Sequence, residues 1–199
     1  MTTGTKGERT RETILDEALQ LATVVGLEGL TIGTLASRLG LSKSGLYAHF
    51  KSKDALQLAI LEHGANHFIA TVVHPSLAQG DPVAALRTLF TAWLEWSGQT
   101  MAGGCLFVTA IVEYDDRPGA VRDLLVEFHR RWIDFIAGAA KRAVSSGPFR
   151  ADLDAAQFAH DFQSILLGFN QARRLLRDPD AETRARRAFA RLLADAASR

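Results

Sequence analysis

The chain has a single cysteine, Cys105, among 199 residues. One thiol excludes an intrachain disulfide and any cysteine-built metal site, and it fits a reducing cytoplasm. Proline is also scarce: its five residues, Pro75, Pro82, Pro118, Pro148 and Pro179, all fall at breaks or at helix starts. No apolar run approaches the roughly 18–20 residues needed to cross a bilayer. The opening MTTGTKGERTRE is polar and charged, without the apolar core of a signal peptide. Strand-like alternation and internal repeats are both missing, which leaves an all-α fold. There is no Gly-rich phosphate loop, no Gly-x-Ser-x-Gly and no His-Glu-x-x-His, so neither an enzyme nor a cofactor is expected. A strong net charge is lacking too, at +1 overall.

What is present is 47% hydrophobic residues, enough for one or two globular domains with a real core. The stretch Thr31–Ala55, TIGTLASRLGLSKSGLYAHFKSKDA, organises the rest. Ile32, Leu35, Ala36 and Leu39 repeat at helical spacing and give one apolar face. Thr31 is the expected N-cap, and Gly40 the left-handed residue that stops the helix. Ser42 then caps a second, very short helix anchored by Leu46 and Phe50. Lys43, Ser44, Tyr47 and His49 lie between or beside those anchors, Lys51 and Lys53 follow, and no carboxylate interrupts residues 29–53. Two helices joined by a tight Gly-containing turn, the second polar and basic, describe a helix-turn-helix rather than a plain solvated hairpin.

LGLSKSGLYAHFKSKDAL resembles the TetR/AcrR family of transcriptional regulators, whose signature run is Tyr-x-His-Phe-x-x-Lys-x-x-Leu. Tyr47, His49, Phe50, Lys53 and Leu56 match it in register. The resemblance covers roughly the first third of the chain. Residues 1–53 hold seven Lys/Arg against five Asp/Glu, a local +2, so the pattern of charge matters more than its total.

Residues 1–8 read as a tail; its Lys6, with Arg9 and Arg11 following, could reach a phosphate backbone, but tails this short are more often just solvated. A first helix is expected from Thr10 to Val25, with Ile14, Ala18, Leu21, Ala22 and Val25 as its stripe. A fourth runs from Lys53 to Val73, stopping before Pro75. It carries His63, His67 and His74 within about 40° of one another by helical arithmetic. His63 and His67 have the spacing of a metal-binding pair, but with no third ligand evident they read as unliganded, and no metal site is assigned. From Ser76 onward five more helices follow, making about nine. Their expected spans end near Trp96, Tyr114, Val144, Leu176 and the C-terminus. The domains are expected at 8–68, with the helix-turn-helix at 31–51, and at 76–199.

Large rings crowd the second region, and a few polar groups stand among them. Plain core packing explains any one ring; as a group they can line a ligand cavity. Trp93, Trp96, Phe107, Phe128, His129, Trp132, Phe162, Gln163, Phe169 and Asn170 are the candidates for effector binding. Gly103-Gly104-Cys105 reads as a close backbone approach with a small buried thiol, not a redox sensor.

The resemblance implies a ligand-responsive transcriptional regulator: a cytoplasmic homodimer, paired through its last two helices, that represses from a near-palindromic operator. A small, largely apolar effector in the C-terminal domain would release it. Ser42, Ser44, Tyr47, His49 and Lys53 are expected chiefly at phosphates, and Lys43, Thr31, Thr34 and Tyr47 nearer base edges. The alternative is an effector-binding protein or enzyme that reuses the scaffold without operator binding. Partners are double-stranded DNA and an effector, with no membrane.

Overall fold

The computed structural model describes residues 6–198. Residues 1–5 of the expected tail and the reach of the Lys6 side chain lie outside the described residues, while residues 6–8, also expected in the tail, are helical. Among these the fold is helical: α1 Lys6–Val25, α2 Ile32–Leu39, α3 Lys43–His49, α4 Lys53–Phe68, α5 His74–Leu77, α6 Pro82–Glu95, α7 Leu106–Tyr114, α8 Ala120–Ser145, α9 Ala155–Arg174 and α10 Ala181–Ala196. An isolated bridge, Phe149 with Ala197, is the sole strand-like pairing among the described residues. Taking α4 and α5 as one rod gives the expected nine helices. That rod does not stop before Pro75. A π turn, Ile69–Val73, joins its parts, and the His74 N–H bonds back to the Ile69 carbonyl. Proline in a regular helix loses one bond and crowds the carbonyl four residues back; widening the preceding turn accommodates both defects.

The chain divides into two compact units, Met1–His67 with Met101–Val126 and Phe68–Thr100 with Glu127–Arg199. In the first, α2 packs on α1 and α3 on α2. The α1 helix begins at Lys6 rather than Thr10, with Glu8 complementing the positive end of its dipole. Its buried face is Ile14, Leu15, Ala18, Leu19 and Ala22, whereas Val25, expected inside, is exposed. Ile14, Ala18 and Ala22 are buried as expected, and Leu15 and Leu19 widen the stripe. Each fully buried Leu or Ile contributes roughly 1.5–3 kcal/mol. Helix α7 belongs to this unit and packs on α1. Gly103 makes that approach possible: a Cβ there would sit 1.7 Å from the Thr23 carbonyl oxygen. The Gly103 N–H donates to Thr23 Oγ1 at 2.8 Å, and Cys105, buried, is the residue just before α7. A buried thiol is out of reach of soluble oxidants.

In the second unit Asp81 caps α6 through an Ala84 N–H, with Pro82 in the first turn, and Asp154 caps α9 through the N–H groups of Ala156 and Gln157. The core is ring on ring. Phe90 stacks on Phe189 at 4.1 Å between centroids and meets Phe162 edge-on at 5.7 Å. On the part of α8 in this unit, Ile136, Ala139, Ala140 and Ala143 are buried, while Phe128, Trp132 and Phe135 are half-buried. The α10 stripe of Ala185, Phe189 and Leu193 is buried within the protomer. Helix α9 exposes Leu167.

Candidate nucleic-acid interface and ligand region

The helix-turn-helix is held by local bonds at each of its ends. Thr31 Oγ1 accepts from the Thr34 N–H at 3.0 Å, and Thr34 Oγ1 accepts from the Thr31 N–H at 3.2 Å. This reciprocal cap uses Thr at a position where Glu or Gln is usual. Gly40 follows α2 with φ 64°, and the Leu41 N–H reaches back to the Ala36 carbonyl, which closes the helix. Ser42 Oγ accepts from the Gly45 N–H at 3.1 Å and lies 3.1 Å from Ser44 Oγ. Leu46 and Phe50 are buried beneath α3. The Arg11 guanidinium lies 5.3 Å from the Phe50 ring centre, a cation–π contact between α1 and the end of the motif.

That anchoring leaves one face outward. Ser42, Lys43, Ser44 and Tyr47 are exposed, with Tyr47 53% exposed despite its large ring, and His49 is half-buried. Thr31 and Thr34 are exposed as well, although their hydroxyls already serve the cap. The Lys43 stem lies along Gly33, where a Cβ would be 3.4 Å from its Cε. Lys53 is placed differently from the others. Its Nζ donates at 2.8 Å to the Glu28 carbonyl and at 2.8 Å to Glu28 Oε1.

Glu28 is the hub of a network that sequence reasoning missed. Besides Lys53 it accepts from the Tyr114 hydroxyl at 2.9 Å, and Arg117 lies 3.5 Å away. The hydrogen bond from Lys53 and then that from Tyr114 hold its carboxyl at about 2, well below the ordinary 4.5. Burial, together with the bond to Glu28, pushes the Tyr114 hydroxyl up. Beside it, Glu113 Oε2 accepts the N–H groups of Leu27 and Glu28 at 2.9 and 3.1 Å, and the buried Gln57 amide donates to the Leu27 carbonyl. Residues of α7 and α4 thus fix the loop that leads into α2. No local pattern announces this network, because Glu28 and Tyr114 are 86 positions apart.

In the second unit Trp93, Trp96, Phe162 and Phe169 are buried and packed against other rings, while Phe128, His129, Trp132, Gln163 and Asn170 are half-buried. Phe68 lies edge-on to both Trp96 and Trp132. Trp132 Nε1 donates to Gln163 Oε1 at 2.7 Å. Burial pushes the His129 imidazole pKa down. Trp96 Nε1 is a fully buried donor with no acceptor. Phe107 belongs to the first unit, near Gly64. One cavity, of about 550 Å³, is lined by Ser76, Leu89, Phe135, Arg142 and Ser145 among others, and none of the ten candidates lines it. A second, of about 320 Å³, includes Phe169 and Arg173. Arg173 donates there to the Ser97 and Gly98 carbonyls within a second π turn, Trp96–Thr100.

A helical bundle carrying an outward, cation-bearing helix-turn-helix defines a class of DNA-binding regulators. The sequence profile described as "Tetracyclin repressor-like, C-terminal domain" matches residues 82–189, and that described as "Bacterial regulatory proteins, tetR family" matches residues 14–60. The chain belongs to the TetR family of transcriptional regulators, and its homologues are regulators rather than enzymes. It is 33% identical over 106 residues to the class C tetracycline repressor of Escherichia coli, covering 53% of this chain and 41% of that protein. A TetR-family regulator from Cytophaga hutchinsonii has the same fold, with TM-score 0.87 at 20% identity and complete coverage of both chains. AibR, solved in complex with isovaleryl coenzyme A and operator DNA, superposes with TM-score 0.67 at 23% identity over 81% of this chain and 85% of that one. Among the described residues no helix is long and apolar enough to cross a membrane.

Proposed function

We propose that the protein is a cytoplasmic, dimeric repressor that leaves a near-palindromic operator when a small effector binds its second unit. The observation that carries the reading is the α3 face: Ser42, Lys43, Ser44 and Tyr47 point outward while Leu46 and Phe50 hold the helix from below. Two such helices, one per protomer, would enter major grooves one helical turn apart, about 34–36 Å. Lys43 and Tyr47 lie nearest the base edges in this reading, together with Thr31 and Thr34. Ser42, Ser44 and His49 bind phosphates and set register. Lys53, paired with Glu28, steadies the start of α4 beneath the recognition helix.

The effector is of the apolar acyl or ring type, with few polar groups. The aromatic surroundings favour it, and the Trp96 N–H offers a donor whose desolvation a ligand acceptor would relieve. Trp132, Gln163 and His129 supply further polar contacts, beside Trp93, Phe128, Phe162, Phe169 and Asn170. Operator release then follows from linkage. The effector lowers DNA affinity by as much as it prefers the dimer state whose recognition helices are mis-spaced.

The test is fluorescence anisotropy on the duplex immediately upstream of the protein's own gene, against a scrambled duplex, at two salt concentrations. Tight, salt-sensitive and sequence-selective binding that Tyr47→Ala abolishes is expected. Equal, weak binding to both duplexes would overturn the reading for that operator.

A further inference from the structure

Asp16 on α1 meets His63 and His67 on α4, and the ligand atoms of all three lie within 4.8 Å of one another. Asp16 Oδ1 is 2.7 Å from His63 Nε2 and 3.6 Å from His67 Nε2, and the two imidazole rings are 4.5 Å apart between centroids. We propose that these residues form a binding site for a divalent transition-metal ion of the zinc class. The three side chains would be its protein ligands, with water at the remaining position.

The donor set and its geometry both favour such an ion. Two neutral imidazoles and one carboxylate are borderline ligands that suit zinc, cobalt or nickel, and they are a poor match for the all-oxygen shells of calcium or magnesium. A tetrahedral ion with bonds of about 2.0–2.1 Å needs its ligand atoms roughly 3.3 Å apart. The observed 2.7 and 3.6 Å fall on either side of that value, so small side-chain rotations suffice.

The backbone that presents these ligands is firmly set. Ile14, Leu15, Ala18 and Leu19 around Asp16, and Ile60 and Leu61 before His63, are buried. Next to His63, a Cβ on Gly64 would lie 3.1 Å from Leu19 Cδ1, so the two helices approach closely where the ligands meet. The site also stays open to solvent. The side chains of Asp16 and His67 are 58% and 45% exposed, while that of His63, at 15%, is held in place. His74, which falls on the same stripe by α-helical arithmetic, follows the π turn that breaks this arithmetic and is not in the group. An ion here would tie α1 to α4 in the unit that carries the recognition helix, independently of any organic effector.

The experiment uses the full chain, stripped with chelator, and contains no DNA. Titration with Co(II) is followed by visible absorption, and Zn(II) binding by calorimetry. One saturating equivalent per chain, an intense tetrahedral cobalt spectrum displaced by zinc, and a zinc-dependent rise in Tm are expected. Asp16→Asn and His67→Gln, both at exposed positions that preserve the fold by circular dichroism, should weaken binding roughly tenfold or more. His74→Gln and His129→Gln should leave it unchanged. Absence of saturable binding, or equal affinity in the Asp16 and His67 variants, would overturn the proposal.

Discussion

Lys53 Nζ is bound twice to one residue, at 2.8 Å to the Glu28 carboxylate and at 2.8 Å to the Glu28 carbonyl. A cation so engaged meets DNA already balanced by a carboxylate, unlike Lys43 on the outward face of α3. Lys43→Ala should therefore flatten the logarithmic salt dependence of operator binding by about one unit. Lys53→Ala should leave that slope nearly unchanged and instead lower stability by about 0.2–1 kcal/mol, since the pair is partly exposed. Anisotropy titrations across a salt series, with urea denaturation alongside, separate the two effects. Equal slopes lost in both variants would mean that Lys53 exchanges Glu28 for phosphate on DNA.

Acid sensitivity follows from the same network. Glu28 is held at about 2 against an ordinary 4.5, so folding favours its ionised form. The contribution is fully present above about pH 4.5 and fades as pH falls toward 2. Wild type should be more stable than Glu28→Gln at neutral pH, with the gap closing through that window. Thermal denaturation at several pH values measures it, and a gap of constant size would assign the stabilisation to packing.

Gly103→Ala should be among the most damaging single-methyl changes in the chain. The added carbon would lie 1.7 Å from a backbone oxygen, which cannot turn aside as a side chain can. A loss of about 1–3 kcal/mol or more is expected in urea denaturation. Gly80→Ala, with no atom within 4 Å of its added carbon, should change little.

The dimer proposal has its own check at Leu167, an exposed apolar residue of α9. Leu167→Arg should yield monomers in sedimentation velocity and weaken operator binding, while leaving the protomer's Tm within about a degree or two of a monomeric wild-type dilution. A dimer unaffected by the charge would move the interface elsewhere.

The parts of this molecule that could be read from the residues are those decided within one helical turn. Thr31 with Thr34, Gly40, Ser42 with Gly45, and Asp81 with Ala84 are bonds between residues at most five positions apart, and composition announces them. Pro75 misled because its effect depends on whether the preceding turn can widen. The start of α1 was hidden because residues 6–9 carry no apolar repeat. Ring size alone does not separate core from cavity lining: Phe162 meets Phe90 edge-on in the core, whereas Phe169, packed on Trp93, also borders a cavity. Asp16 with His63, and Glu28 with Lys53 and Tyr114, join residues 25 to 86 positions apart, and no local pattern encodes such meetings.

The first unit is assembled from two separate stretches of chain, the second beginning at Met101 and ending at Val126. During synthesis, then, the DNA-reading helices emerge long before the helix that braces their loop. At roughly 5–20 residues per second the ribosome leaves Leu27, Glu28 and Gln57 waiting seconds for Glu113 and Tyr114. A fragment cut after α4 would carry every residue of the recognition motif and still lack that brace. It would expose the α1 surface that α7 covers, and it should aggregate or bind DNA poorly for reasons unrelated to DNA contacts.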